Sequence, residues 1–343
     1  MKNEVLAEYF NILCQNNYPD FINKYLKTKE MQRISYIGQF CGSDYTAIYS
    51  PLFFYSRYDH SIATALMTWH FTKDKTQTLC ALFHDLGTPC FSHCIDYLLG
   101  DFEKQESSEK DVFSIISNSQ EMIQYLEEDD IKLEDLKDIK QYSIVENEKP
   151  KLCVDRLDGV LHTVLIWIHT HSIEQIKEVY KDIAVLKDRN GYLELGFNHK
   201  ENANLFFDMI YEYSIELQSN ENKFTTQFIA DCIKILIEQN KISIEDLYNQ
   251  KEEDIVKLLE NDISGWKKFE QTTQILRSDI KPNYYFVSVS AKKRYVIPLC
   301  IEQNEPKRLD EISEICKELL EEYFNYKDTK YAYIPGIILN KEN

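Results

Sequence analysis

Ionisable side chains sit inside segments of this chain that read as helix cores, and buried charges must be paired or ligated, because an unpaired one is costly. Residues 52–100, LFFYSRYDHSIATALMTWHFTKDKTQTLCALFHDLGTPCFSHCIDYLLG, carry four of the eight histidines. His60 opens an apolar run (Ile62, Ala63, Ala65, Leu66, Met67) that reads as a helix with Asp59 as its N-cap. A second helix is expected from Thr76 to Leu86, stopped by a left-handed Gly87, with His84 and Asp85 in its last turn. Adjacent helix residues point about 100° apart, so both can reach one ion lying off that edge. A third segment, LCVDRLDGVLHTVLIWIHTH (152–171), places Asp155 in a strongly apolar setting. Divalent cations take neutral imidazole and carboxylate ligands from several segments. His60, His84, Asp85 and Asp155 are therefore the candidate metal ligands.

The surroundings of these residues sharpen the pattern. Arg57-Tyr58-Asp59-His60-Ser61, then Phe83-His84-Asp85-Leu86-Gly87 with Phe91-Ser92-His93 and Asp96, then Val154-Asp155-Arg156-Leu157-Asp158 follow one another in order. Gln32-Arg33-Ile34 and Ile37-Gly38-Gln39-Phe40 precede them. Together these blocks resemble the HD superfamily of metal-dependent phosphohydrolases, and within it the deoxynucleotide triphosphohydrolase branch, over roughly residues 30–220.

The resemblance implies a mainly α fold with an HD-type helical domain, taken as 1–280; the residues themselves add a β-hairpin insertion near 183–197 and a small C-terminal α+β segment (281–343). It implies one divalent ion (Mn, Mg, Fe, Ni or Zn) on the quartet. Arg57, His93 and Asp96 would be catalytic, the last two sharing a helix face after the doublet. Gln39 would contact a sugar hydroxyl. Arg57 and Arg156 would bind phosphate, arginine's planar fork suiting that anion. His162, two turns after Asp155, either lines the pocket or packs. The chain departs from the branch at Thr88, at Pro89-Cys90, and at Ser108-Glu109, where the family has histidines, a Gly-Pro step and a His-Glu pair. The basic pattern that grips a polyphosphate is also not evident in Phe206 to Tyr211.

A net charge of −18 argues against long nucleic acid as a partner, since that demands basic surface. It leaves room for a small phosphorylated substrate drawn in by a metal and a few arginines. Nine cysteines without a CxxC pair read as reduced buried thiols of a cytoplasmic protein; Cys90 and Cys94 flank His93 but lack a second pair at zinc-finger spacing. The longest apolar run, Val160 to Ile168, is too short to span a bilayer, so no membrane partner is expected. A homo-oligomer remains open.

Further along, Ser172 with Gln175 and Ser243 with Asp246 predict capping boxes. Asn190-Gly191 predicts a hairpin turn within Ile183 to Phe197, and helical spacing recurs over 203–217 and 224–237. Beyond Pro282, strands are expected at Tyr284 to Ser290, Arg294 to Ile301 and Tyr331 to Leu339, with a helix from Leu309 to Tyr326. The expected function is metal-dependent hydrolysis of a nucleotide phosphoester, a deoxynucleoside triphosphate first. The alternatives are a lower-charge ester (a nucleoside monophosphate or cyclic nucleotide) and a non-catalytic nucleotide sensor. No catalytic residue is expected after Lys281.

Overall fold

Helix α4 (Arg57–Thr72) is the axis of the molecule, buried at every position from Asp59 to Thr68, as a helix packed on all sides must be. The structure, a computed structural model, describes residues 2–101, 103 and 110–339. Before the axis come α1 (Lys2–Cys14), α2 (Ile22–Tyr25) and α3 (Lys29–Ile34). The N-cap of α4 is Ser56, three residues earlier than the sequence suggests. Ser56 Oγ accepts from Asp59 N at 3.2 Å while Asp59 Oδ2 accepts from Ser56 N at 2.9 Å, a capping box.

Asp74 caps α5 (Lys75–Phe83), which ends before the His84–Asp85 doublet, not at Gly87. Gly87 does not take a left-handed turn. A Cβ there would lie 2.0 Å from the Lys110 carbonyl oxygen, so glycine is required by close backbone approach. Next come α6 (Cys94–Leu98), α7 (Val112–Ser117) and α8 (Gln120–Glu128). Ser108-Glu109 lies outside the described residues.

The segment carrying Asp155 folds as α9 (Val154–His162), which runs into one π-helical turn, Thr163–Trp167. The Ile166 carbonyl there accepts from Leu52 N at 2.9 Å, tying the segment ahead of α4 to the end of α9. The Ser172–Gln175 capping box opens α10 (Ile173–Asp182). Strands β1 (Ile183–Lys187) and β2 (Leu193–Phe197) pair antiparallel from Ile183↔Phe197 to Lys187↔Leu193. Their turn is longer than the two-residue form expected. Asp188 N donates to Tyr192 O, and only Gly191, at φ +88°, takes the left-handed position.

Two long helices follow, α11 (Lys200–Gln218) and α12 (Asn220–Glu238), then α13 (Asp246–Asn249), α14 (Glu252–Asp262) and α15 (Trp266–Gln271). The rest comprises β3 (Leu276–Ser278), β4 (Phe286–Val287), β5 (Leu299–Glu302), β6 (Glu305–Arg308), α16 (Leu309–Ile312), α17 (Glu314–Asn325) and β7 (Tyr331–Tyr333). Here the sequence overreaches. Residues 288–298 form an irregular strap, because its polar groups find partners on different elements: Gln218 Nε2 donates to Lys292 O at 2.9 Å, and Ile297 N donates to Pro150 O at 2.8 Å. Ser313 interrupts the expected single helix by capping α17 and donating to Asn204 Oδ1 at 2.7 Å.

The C-terminal segment is woven into the body. Strand β5 pairs parallel with β2 in a sheet of order β1-β2-β5-β6, and Arg308 forms an ion pair with buried Glu194. The sheet β3-β7-β4 lies against α12. A continuous buried apolar cluster reaches from Tyr9 to Ile337. The fold is mainly α, and no helix among the described residues is long and apolar enough to cross a membrane.

Candidate metal centre

Packing of α4 against α5 and α9 brings three distant segments to one point. His60 Nε2 lies 3.1 Å from both His84 Nε2 and Asp155 Oδ1. Asp85 Oδ2 is 3.8 Å from His60 Nε2 and 3.6 Å from His84 Nε2, and His84 Nε2 is 3.6 Å from Asp155 Oδ1. Ligands bonded at about 2.1 Å stand about 3.0 Å apart around an octahedral ion and about 3.4 Å apart around a tetrahedral one. The donor set fits such an ion. Two imidazole lone pairs do not face one another at 3.1 Å without a proton or cation between them. Two neutral imidazoles and two carboxylates also carry the charge that a dication balances.

Each imidazole is aimed by its other nitrogen. His84 Nδ1 meets Ala81 O at 2.7 Å, and His60 Nδ1 meets Asp158 Oδ2 at 2.6 Å, leaving both Nε2 atoms for the ion. Asp158 is fully buried and is held in turn by Tyr9 Oη (2.5 Å), Tyr55 Oη (3.1 Å) and His162 Nδ1 (3.1 Å). The charges are mutually set. Burial works against ionised carboxylates here, yet Arg57 and the imidazoles hold Asp85 well below the usual carboxylate range. Hydrogen bonds to His60 and His84 do the same for Asp155. Burial likewise opposes charging His60, but Asp155 and Asp158 outweigh it and push its pKa up to about 10. The negative field that favours a proton there also favours a cation.

The other expected site residues divide into two groups. Arg57 is buried, donating from Nη1 to Asp85 Oδ2 at 2.9 Å and from Nε to Ser92 Oγ at 3.1 Å. His93 Nδ1 meets Asp96 Oδ2 at 2.9 Å, and burial with the charges of Arg294 and Arg57 lowers the imidazole pKa to about 4. Gln39 is fixed beside the start of α4 by its N–H to Tyr55 O, and its buried Oε1 has no partner among the described residues. Of these, His93 lies within the field of Arg57, and Arg57 touches the quartet through Asp85.

Arg156 and His162 do not turn toward it. Arg156 is spent on the 146–153 loop, donating to Glu146 Oε1 at 2.8 Å, to Lys151 O at 3.0 Å and to Asn147. His162 is buried against Tyr55 (ring centroids 4.9 Å apart) and Phe40 (5.5 Å), so it supports Asp158 and lines no opening. All nine cysteines are free, and the thiols beside His93 donate to carbonyls, Cys90 to Gln250 O and Cys94 to Cys41 O.

Three participants escape the sequence reading. Asp158 was legible as the second acid of the Val154–Asp158 block, one turn after Asp155. Arg294, on the strap, lies 3.3 Å from His93 Nε2 through Nη2, and no local signal marks it. Glu252, at the start of α14, accepts from Phe91 N at 2.8 Å and Gly38 N at 3.4 Å, pinning the loops that carry His93 and Gln39.

No family model matches the chain. It is 24% identical over 237 residues to the uncharacterized protein YdhJ of Bacillus subtilis (strain 168), covering 67% of this chain and 70% of that one. The crystal structure of a hypothetical protein from Aquifex aeolicus superposes with a TM-score of 0.60 at 15% identity, covering 90% of each chain. The Aquifex aeolicus protein therefore shares the fold.

Proposed function

We propose that the chain is an HD-type metal-dependent phosphohydrolase acting on a nucleotide, with deoxynucleoside triphosphate first among the substrates. The observation that supports this best is the gathering of His60, His84 and Asp155 in a group that could hold a metal ion, with Asp85 3.6–3.8 Å from the two imidazoles and each histidine aimed by a second partner. A divalent cation held there would supply Lewis-acid polarisation of a phosphoryl oxygen and would acidify water.

The chain's own groups would do the rest. His93, neutral near pH 7 and fixed by Asp96, takes a proton from the attacking water as the water oxygen bonds to phosphorus. That proton passes to the oxygen whose bond to phosphorus breaks. Arg57 keeps Asp85 ionised and in place, while Arg294 neutralises phosphate oxygens beside His93. Gln39 Oε1 accepts from a sugar hydroxyl.

A lower-charge phosphoester is the second reading, favoured by the withdrawal of Arg156 into its loop. The test is a hydrolysis screen over nucleoside tri-, mono- and cyclic phosphates with Mn, Mg, Fe, Ni and Zn, run on the native chain and on His84→Ala. Turnover present in the first and lost in the second is expected. Turnover in neither, with nucleotide still bound, would leave a sensor in place of an enzyme.

A further inference from the structure

Strand register gives the sheet β3-β7-β4 one covered face and one bare face. Leu276, Tyr333 and Phe286 stand opposite one another across the three strands, and so do Arg277, Ala332 and Val287. Successive strand residues point to opposite sides. Val287 and Ala332 are buried where the sheet meets α12, so Leu276, Tyr333 and Phe286 face away from the body. The flanking segments add to that outer face. Lys281 Nζ lies 5.2 Å from the centre of the Phe286 ring, so the turn that carries Ile280 borders it. Tyr284 stacks on Tyr333 with ring centroids 6.2 Å apart. Ile337 is buried, its carbonyl accepting from Tyr285 N at 2.8 Å, and the next side chain, Ile338, is turned out. Ile280 is 81% exposed and Ile338 60%, the two highest values for large apolar side chains among the described residues; Leu276 stands at 42% and Tyr284 at 41%. Apolar side chains gathered like this on one surface mark contact with a partner or a membrane.

Cations border the patch. Lys330 Nζ lies 5.2 Å from the centre of the Tyr331 ring, as Lys281 does over Phe286, and Lys268 Nζ reaches Gly336, two residues before Ile338. Asp279 is the one acid between Leu276 and Tyr284, and Arg277 is spent on Asp328 and Glu221. In a chain of net charge −18, an apolar patch edged by lysines fits a partner that is anionic outside and apolar within. An anionic bilayer is both: ammonium groups meet its headgroups while aliphatic and aromatic tips enter the boundary with the acyl chains. Two other occupants fit less well. A second copy related by a two-fold axis would set these lysines against their own mates. Stacked nucleic-acid bases need open ring faces, and these rings lie against one another or under ammonium groups.

We propose that this face docks peripherally on an anionic phospholipid bilayer, with Ile280, Ile338, Leu276 and Tyr284 entering the interface and Lys281 and Lys330 meeting the headgroups. Such contact needs no spanning helix, so the expectation of no membrane partner, which rests on the lack of a span, does not reach it.

Co-sedimentation of the full chain with lipid vesicles is the test. Phosphatidylcholine vesicles containing about a third phosphatidylserine should bind the chain, and pure phosphatidylcholine vesicles should bind it about ten-fold more weakly or less. Lys281→Gln with Lys330→Gln should weaken partitioning into the anionic vesicles about ten-fold or more, two cations being lost from the surface. Ile280→Ser with Ile338→Ser should weaken it about as much, through lost apolar burial. All four positions are at least half exposed or lie on the rim, so both variants should keep the native melting temperature. Equal binding to neutral and anionic vesicles, or binding that neither variant weakens, would overturn the proposal. So would an absence of vesicle binding, whether the patch then proved to mediate self-association or to hold a single-stranded oligonucleotide. None of these readouts uses turnover or metal, so they stand apart from any failure of the phosphohydrolase reading.

Discussion

Asp158 carries much of the order of the candidate metal centre from behind His60, outside the His60–His84–Asp155 group. It accepts from His60, His162, Tyr9 and Tyr55, and with Asp158 ionised the proton of His60 resides on Nδ1. Asp158→Asn keeps the shape and removes the charge, so metal affinity should fall about 10- to 100-fold while the fold persists. A metal titration giving unchanged affinity would remove the orienting role. Direct ligand changes behave differently: His84→Ala or Asp85→Asn should lose the single equivalent of metal, and elemental analysis finding two equivalents in the native chain would refute a mononuclear site. Glu252 gives a second prediction at this scale. Burial pushes its pKa up to about 8, and that of neighbouring Asp44 to about 7. The folded state therefore binds more protons than the unfolded one between the ordinary carboxylate range and about pH 8. Stability falls as pH rises through that window, by at most about 5 kcal/mol for Glu252. Melting temperature measured from pH 5 to 9 should decline in the native chain and be flatter in Glu252→Gln; equal slopes would place the titration elsewhere.

The strap between β4 and β5 shows where an element's role departs from its sequence signature. Aromatic and β-branched residues over 294–301 promise a strand, but ladder pairing starts only at Leu299, and the strap before it reaches His93 through Arg294 instead. Local pattern cannot reveal that, because Arg294 reaches His93 across 201 positions of chain. The helices that carry the ligands were legible for the opposite reason. Their apolar periodicity and their ionisable residues agree, and burial leaves those residues few other partners. Boundaries were lost wherever a contact distant in sequence decides them, as the Lys110 carbonyl does at Gly87 and Ser313 does between α16 and α17. Placing Arg294 at the site changes the expectation for the C-terminal segment. Arg294→Ala should lower kcat/KM for a phosphorylated substrate about ten-fold or more with metal content unchanged, and Arg294→Lys should recover part of it. A KM and kcat both unmoved would return the segment to a purely structural role.

At the scale of the whole molecule, the balance of charge bears on the substrate. The chain's −18 gives no long-range pull on a polyanion, so a triphosphate must be met by local cations. Of those expected, Arg156 is tied to Glu146 and Asn147, and Arg57 is bonded to Asp85. Arg294 restores one positive group beside His93. With a dication that leaves the site short of the about four charges of a bound triphosphate, and closer to the charge of a monoester. The motif resemblance favours triphosphate, and the charge count favours the smaller anion. Product analysis decides between them. Incubation with a deoxynucleoside triphosphate that yields nucleoside and intact tripolyphosphate would refute the charge count, and it would require further cations from elsewhere in the chain to close on the ligand. Turnover confined to monophosphates or cyclic nucleotides would refute the resemblance at the level of substrate while keeping the metal chemistry. Raising the ionic strength distinguishes the two further. A site relying on several screened cations should lose affinity steeply with salt, whereas one built chiefly on the ion and one buried arginine should lose little.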